Sequence, residues 1–165
     1  MQKGLTPDIC YIAGLSSKNR ESRKNAIGVQ TSVPEIEQKF VEIAVKVLEI
    51  DPKKIFIEHS DGRIHAYFYH SRVAKRLANI SSRESHIFKK PDQLSAAYLA
   101  GIFDAAGHIR SGSLSINPIS PQDALMLQNL GIHTRGNTVL NISSLFSMIK
   151  GRSIMADMLE KRHSS

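Results

Sequence analysis

Clustered cations are the residues of this chain whose chemistry stands out first. Four of them, with one amide, lie within seven residues: Lys18, Asn19, Arg20, Arg23 and Lys24. Ammonium and guanidinium groups at this density can neutralise phosphates, and binding through such contacts weakens steeply as salt is added. A solvated surface loop would contain the same residue types, so the distribution of charge along the rest of the chain is the next observation.

The excess of positive charge extends over the whole sequence. The 165 residues include 22 Lys and Arg against 15 Asp and Glu, which gives a formal net charge of +7. The other cations that extend the cluster are Lys53, Lys54, Arg72, Lys75, Arg76, Lys89, Lys90 and Arg110. Such a surface attracts phosphate polyanions at neutral pH. Nucleic acid is therefore the predicted partner, and the alternative is a basic interaction module that binds no nucleic acid.

Composition excludes several other classes of protein. Hydrophobic residues make up 41% and charged residues 22% of the chain, as in ordinary globular domains. The single cysteine, Cys10, excludes an internal disulfide framework and a multi-cysteine metal site. There is no apolar run of 18 residues and no apolar signal core at the start. We expect an intracellular, cytoplasmic protein that does not associate with a membrane.

The elements that position these residues come from an internal repeat. The segment YIAGL at 11–15 recurs as YLAGI at 98–102, which is 87 residues later. The same offset aligns further pairs: Ile27 with Leu114, Val29 with Ile116, and Pro34 with Pro121. A sequence that repeats at this length consists of two copies of one structural unit. The predicted division is a first half at 1–80, a linker at 81–93 and a second half at 94–165.

Each copy has the pattern helix, strand, helix, strand, strand, helix. The pattern predicts helices near 11–15, 34–50, 73–80, 94–105, 121–130, 145–149 and 154–159, and strands at 25–32, 54–58, 63–69, 113–117 and 137–142. The Asp61-Gly62 step predicts a tight hairpin turn. Mixed elements of this kind indicate an α+β fold with antiparallel sheets.

Two helices carry glycine inside an apolar sequence. Ala13-Gly14 and Ala100-Gly101 occupy equivalent places in the two copies. Glycine in a helix interior costs about 0.8–1 kcal/mol relative to alanine, and a close approach of two helix backbones is one way to compensate. We therefore predict that these two helices pack against each other at the centre of the molecule.

The same two helices carry a family resemblance. LAGIFDAAG at 99–107 resembles the LAGLIDADG signature of homing endonucleases, and IAGLSSKNR at 12–20 resembles a decayed first copy. The resemblance implies a pseudo-two-fold pair of αββαββα halves, with antiparallel saddle-shaped sheets and the motif helices at the central interface. It also implies a self-contained monomer, and one more strand in each copy, expected within 18–24 or 108–110.

The family cleaves double-stranded DNA at a specific site with divalent metal, and Mg²⁺ is the cofactor that the resemblance implies. Its metal-binding acid is the eighth residue of the motif, and those positions are Asn19 and Ala106 here. Asn19 brings an oxygen without charge, and Ala106 brings no ligand. We therefore expect metal affinity and catalysis to collapse, unless Glu21 substitutes on the first side. Asp104, the sixth motif residue, is expected to cap or orient the end of the motif helix rather than to bind metal.

Strand alternation adds candidates for reading bases. If Ile27, Val29 and their equivalents face the core, polar side chains of the same strands face outward and could contact base edges. An antiparallel face exposed only to solvent would show the same alternation. With the basic residues, the predicted DNA-binding set is Lys18, Arg20, Arg23, Lys24, Gln30, Ser32, His65, Tyr67, Tyr69, Arg110, Ser113, Ser115 and Asn117.

Two nucleic-acid functions remain open at this level. One is DNA binding by a homing-endonuclease-like protein whose cleavage activity is impaired or absent. The other is a non-catalytic descendant, either a splicing maturase that binds intron RNA or a DNA-binding regulator.

Overall fold

The computed structural model describes residues 4–19 and 23–163. The first copy contains α1 (Pro7–Lys18), β1 (Ala26–Thr31), α2 (Pro34–Lys46), a short 3-10 turn (Pro52–Lys54), β2 (Phe56–Ser60), β3 (Arg63–Tyr69) and α3 (Ser71–Ser82). The four-residue helix α4 (Glu84–Ile87) follows.

The second copy begins with the longest helix of the described residues. It contains α5 (Gln93–Ala106), β4 (Gly107–Arg110), β5 (Ser113–Ile116), α6 (Pro121–Asn129), β6 (Thr134–Arg135), β7 (Thr138–Val139), α7 (Ile142–Ile149) and α8 (Ile154–His163). None of the helices in the described ranges combines the length and the apolar character needed to cross a membrane.

The helices begin at local signals in the sequence. The Thr6 hydroxyl accepts the amide of Ile9 and starts α1. Asp92 and Ser95 form a reciprocal capping box at the start of α5, and Ser120 and Asp123 form another at α6. Such caps satisfy amide groups that have no partner inside the helix.

The strands form two antiparallel sheets, with the orders β1-β3-β2 and β4-β5-β7-β6. Asp61 and Gly62 have φ angles of 50° and 75°, the left-handed pair that a tight hairpin needs. Strand β4 is the additional strand predicted at 108–110. In the first copy α1 continues to Lys18, and the described residues between Asn19 and Lys24 contain no strand.

The two motif helices, α1 and α5, touch through their glycines. A β-carbon built on Gly14 would lie 2.1 Å from the carbonyl oxygen of Tyr98, and one built on Gly101 would lie 2.1 Å from that of Tyr11. The contact is reciprocal, as an approximate two-fold axis between the copies requires. The predicted fold class, with the motif helices at the central interface, is confirmed.

One core runs through both copies. Ile12 and Leu15 of α1 and Leu99 and Phe103 of α5 are fully buried or nearly so. The inner faces of the sheets cover this helix pair from the two sides: Ile27, Val29, Ala66 and Phe68 in the first sheet, and Leu114, Ile116 and Val139 in the second. The opposite faces of the sheets are left for other contacts.

The segment predicted as a polar linker, 81–93, takes part in this core. Glu84, Ser85 and Phe88 are buried, and the Phe88 ring stacks on Tyr98 with centroids 4.4 Å apart. The sequence did not indicate this role because the buried residues are interleaved with Arg83, Lys89 and Lys90, which are exposed.

Candidate nucleic-acid interface

The outer face of the first sheet presents side chains from all three strands. Ala66 and Phe68 of β3 point into the core, so His65, Tyr67 and Tyr69 point outward. In the register, His65 lies between Glu58 and Gln30, and Tyr67 lies between Phe56 and Gly28. This face therefore has a polar row beside an aromatic row.

The aromatic row is tightly connected. The Arg23 guanidinium lies 4.2 Å from the centroid of the Tyr67 ring and donates a 3.1 Å hydrogen bond to the Tyr69 hydroxyl. The Tyr67 hydroxyl donates to Glu58 Oε1 at 2.7 Å. Although Tyr67 points outward, these neighbours and Phe56 leave it 5% exposed. Its predicted role as a direct base contact is therefore corrected: its ring and hydroxyl are already engaged.

The outer face of the second sheet is polar throughout. The register aligns His108, Ser115, Thr138 and Arg135 in one row across all four strands. Arg110 and Ser113 form a second pair beside it. The sequence indicated Arg110, Ser113 and Ser115 but missed His108, Thr138 and Arg135. Strands β6 and β7 have two residues each, which is too short to show an alternation.

The remaining predicted contacts lie around these faces. Lys24 and Gln30 are exposed, as are Ser32 and Asn117, which come directly after β1 and β5. Asn117 Oδ1 accepts a 3.2 Å hydrogen bond from Asn137. Arg20 and Glu21 lie outside the described residues, so the structure does not place them.

Lys18 does not join the outer faces. Its ammonium pairs with the carboxylate of Asp123 and donates to the carbonyl of Pro118 at 3.0 Å, and its side chain is 9% exposed. Because Asp123 compensates this charge, the expected phosphate contact at Lys18 is corrected to an ion pair that joins the two copies. The partners are 105 residues apart, so sequence spacing could not indicate the pair.

The ion pair belongs to a buried acidic cluster between the copies. Glu84 accepts a 2.5 Å hydrogen bond from the Tyr98 hydroxyl, and burial and a hydrogen bond with Asp123 raise its pKa to about 8. Burial alone would raise the pKa of Asp123 as well, but hydrogen bonds from Glu84 and Lys18 lower it below its ordinary value. At neutral pH, Glu84 holds the proton and Asp123 the negative charge.

This assignment predicts a pH-dependent stability. Since the pKa of Glu84 is raised from 4.5 to about 8 on folding, its contribution to stability is full below pH 4.5 and is lost as pH rises toward 8. Glu84→Gln mimics the protonated acid. In the wild type, the free energy of unfolding measured by urea denaturation should fall between pH 5 and 8. We expect this fall to be smaller in Glu84→Gln by at least about 1 kcal/mol. The exposed Glu42→Gln should leave the curve unchanged, and equal curves for wild type and Glu84→Gln would contradict the assignment.

In the described residues, the C-terminal ends of the motif helices α1 and α5 carry no carboxylate that is free to bind a ligand. Asn19 Nδ2 donates to the carbonyl of Leu15 at 2.9 Å, and Asn19 Oδ1 accepts the amide of Gln30 at 3.1 Å. Asn19 thus ends α1 and ties it to β1. Ala106 is buried at the end of α5, and its carbonyl accepts the amide of Asn117 at 3.0 Å.

Asp104 has a structural role. It is buried, and its oxygens accept hydrogen bonds from the Tyr11 hydroxyl at 2.7 Å and the Ser153 hydroxyl at 2.6 Å. They also accept the amides of Ile154 at 2.9 Å and Met155 at 3.0 Å. Burial raises the pKa of Asp104, while these hydrogen bonds act in the opposite direction. The sequence predicted that Asp104 caps or orients the end of its own motif helix, α5. It does cap a helix, but the amides that it accepts are the first of α8.

Comparison of the sequence with known proteins gives one partial match. No family model matches the chain. One component of the A-type ATP synthase of Methanopyrus kandleri is 28% identical over 131 residues, which cover 76% of this chain. The aligned part is 13% of that protein, so the chain spans about an eighth of the curated relative that it matches.

Comparison of the structure gives full-length matches. Mesophilic variants of the homing endonuclease I-DmoI superpose with a TM-score of 0.69 at 14% identity, over 96% of this chain and all of theirs. I-DmoI in complex with DNA and Ca has a TM-score of 0.68 at 15% identity, over 96% and 100%. The chain has the LAGLIDADG homing-endonuclease fold. A complex of I-DmoI with DNA and Mn gives a TM-score of 0.64 over 90% of this chain.

The residues at the LAGLIDADG motif ends do not fit a divalent metal. Mg²⁺ takes carboxylate and other hard oxygen ligands. Here Ala106 has no side-chain oxygen, the Asn19 oxygen is engaged by Gln30, and the Asp104 oxygens accept four hydrogen bonds. Within the described ranges, no group of three or more His, Cys, Asp or Glu side chains could hold a metal ion. We therefore assign no metal-dependent step to this chain.

Proposed function

We propose that this protein binds double-stranded DNA along the outer faces of its two sheets, as a monomer, and does not cleave it. The observation that carries the proposal is the row of His108, Ser115, Thr138 and Arg135 across the second sheet. Hydroxyl, imidazole and guanidinium groups provide the donors and acceptors that base edges and phosphates require. Similar structures that contain DNA support the choice of ligand.

The central interface supports the proposed monomeric state. Both glycine-bearing helices, α1 and α5, come from one chain and close on each other. The interface that a symmetric dimer would supply from two chains is thus complete in one. A net charge of +7 adds a long-range attraction for duplex DNA.

The residues at the motif ends support the proposed absence of cleavage. A nuclease of this fold class needs a metal-bound water and a charge that stabilises the leaving oxygen, and Asn19 and Ala106 supply no charge. The proposal is thus a DNA-binding protein that retains the fold of an endonuclease.

Binding can be tested with a pool of random-sequence duplex DNA. We expect affinity to fall steeply between 50 and 200 mM salt. Arg110→Ala and Arg135→Ala should each weaken binding and reduce the salt slope by about one unit, measured by fluorescence anisotropy. Lys46→Ala, on the exposed surface of α2 where it pairs with Glu42, is the matched loss of charge and should have little effect on the affinity. Equal losses for Lys46 and Arg135 variants would place the DNA elsewhere.

Cleavage is tested on the same pool with Mg²⁺ or Mn²⁺. The wild type should nick no duplex, and nicking would overturn the non-catalytic assignment. Ala106→Asp restores one family acid, and metal binding by that variant would show that the rest of the site is intact. Binding of structured RNA in preference to duplex DNA would favour the maturase alternative.

A further inference from the structure

We propose that the outer face of the first sheet binds an unpaired nucleobase, which stacks on the exposed ring of Phe56 beside Tyr69. The proposal rests on the proposed function in that the ligand is a nucleic acid. It goes beyond that function in adding that, where the DNA crosses the first sheet, one base is unpaired and stacks on that face.

Two large aromatic rings on this face are exposed to solvent. Phe56 is 46% exposed and Tyr69 is 45% exposed, and their ring centroids are 6.2 Å apart in an edge-on arrangement. Tyr67 covers one face of Phe56, with the rings nearly parallel and 5.3 Å apart. The exposed area of Phe56 therefore belongs to its other face and its edge. An added flat group would extend the Phe56–Tyr67 stack and meet Tyr69 at its side.

The rings are held in place before any ligand binds. Glu58 accepts the hydroxyl of Tyr67 at 2.7 Å, and Arg23 lies over the Tyr67 ring while it donates to the Tyr69 hydroxyl. His65 packs against Tyr67 with centroids 4.7 Å apart. A preorganised aromatic surface loses little side-chain entropy when a ligand stacks on it.

The chemistry of this surface favours an unpaired base over a paired one. The exposed Phe56 ring offers no hydrogen bond to a base edge, and the faces of paired bases are covered by their neighbours in the duplex. Unpaired bases present their faces, and aromatic side chains bind them by stacking. Arg23 places a positive charge against these rings, over Tyr67 and at the Tyr69 hydroxyl, which matches a phosphate backbone rather than a neutral apolar peptide.

The second sheet provides an internal comparison. The equivalent outer row there contains His108, Ser115, Thr138 and Arg135. By register, Thr138 takes the place of Tyr67, and Arg135 takes the place of Phe56. Two copies of one structural unit therefore present different chemistries on corresponding faces. A duplex contacted symmetrically by both sheets would not need this difference.

The experiment uses the full chain and three probes of one sequence: a paired duplex, the same duplex with one bulged 2-aminopurine, and the 2-aminopurine strand alone. We expect the bulged or single-stranded probe to bind at least fivefold more tightly than the paired duplex, with quenching of 2-aminopurine fluorescence. Phe56→Leu should remove the preference and the quenching, with about a tenfold loss of affinity for the unpaired probe. Phe56→Trp should retain both.

Ile57→Ala is the matched control, because Ile57 is the next residue of β2, is 47% exposed and faces the other side. It should change neither affinity nor quenching. If all probes bind equally, or if the unpaired preference survives Phe56→Leu, the inference is overturned while duplex binding stands. If no probe binds, both proposals fail. Thermal unfolding of each variant separates loss of the site from loss of the fold. If Phe56→Leu is unstable, the comparison of Phe56→Trp with the wild type on the three probes takes its place.

Discussion

Gly101→Ala should remove a large part of the folding stability of this protein. The added β-carbon would lie 2.1 Å from the carbonyl oxygen of Tyr11 and 2.7 Å from the amide nitrogen of Leu15. An ordinary contact is 3.4 Å or more, so the motif helices would have to separate by about 1.3 Å. The clash is with the backbone of a buried helix, which no side-chain rotation can relieve. We expect a loss of at least about 4 kcal/mol, out of a typical total of about 5–15 kcal/mol.

The measurement is urea denaturation followed by circular dichroism. Gly14→Ala should have an equally large effect, because its β-carbon would lie 2.1 Å from the carbonyl oxygen of Tyr98. Gly62→Ala is the control: nothing lies within 4 Å of the added carbon, and its φ of 75° limits the cost to about 1–2 kcal/mol of backbone strain. In an isolated helix, glycine to alanine would instead stabilise by about 0.8–1 kcal/mol. A stabilising Gly101→Ala would therefore show that the two helices do not touch.

Asp104→Ala is expected to have the second largest effect. The substitution removes the acceptor for the Tyr11 and Ser153 hydroxyls and for the first two amides of α8. Buried donors left without an acceptor each cost about 1–3 kcal/mol, although partial rearrangement reduces the sum. We expect a loss of about 3–5 kcal/mol. Helix α8 should also lose its protection from amide hydrogen exchange before the rest of the chain does.

Two further variants separate the role of the charge from that of the shape. Tyr11→Phe removes one of the four donors and keeps the ring, so it should cost only about 1 kcal/mol. Asp104→Asn keeps the shape but turns an amide group toward at least one donor, and its loss should fall between the other two. If Asp104→Ala costs no more than Tyr11→Phe, the cap on α8 contributes little. A metal-binding role for Asp104 would then need to be reconsidered.

Local and repeated features of the fold could be predicted from sequence. The offset of 87 residues, the adjacent Ala-Gly pairs and the Asp61-Gly62 turn each depend on neighbouring residues or on exact repetition. The structure has the helix pair and the hairpin where these features predicted them. Strand β4 lies where the family resemblance implied an additional strand, and the described residues of 18–24 contain no counterpart. The missing LAGLIDADG acids are equally plain in the sequence, since they require only the identity of residues 19 and 106.

Side-chain partners that are distant in sequence could not be predicted. Lys18 has the same sequence context as the exposed Lys24, yet it is paired with Asp123, 105 residues away. Tyr67 alternates as an exposed strand residue should, yet it is covered by Arg23 from the segment before β1 and by Glu58 and Phe56 from β2. The alternation of side chains along a strand predicts the face of the sheet on which a side chain lies. The neighbours of that side chain depend on the register of the strands and on the positions of the loops.

The sequence by itself determined that the chain contains two copies of one unit, that glycine-bearing helices join them, and that the motif positions of the metal-binding acids are Asn19 and Ala106. These properties depend on residue identity and periodicity, which the chain carries before it folds. Only the tertiary structure decided which charges face outward and which groups donate hydrogen bonds to the carboxylate of Asp104. It also decided that one sheet face is aromatic while the other is polar. Those properties depend on contacts between residues up to about a hundred positions apart, and only the packing of the two copies brings such residues together.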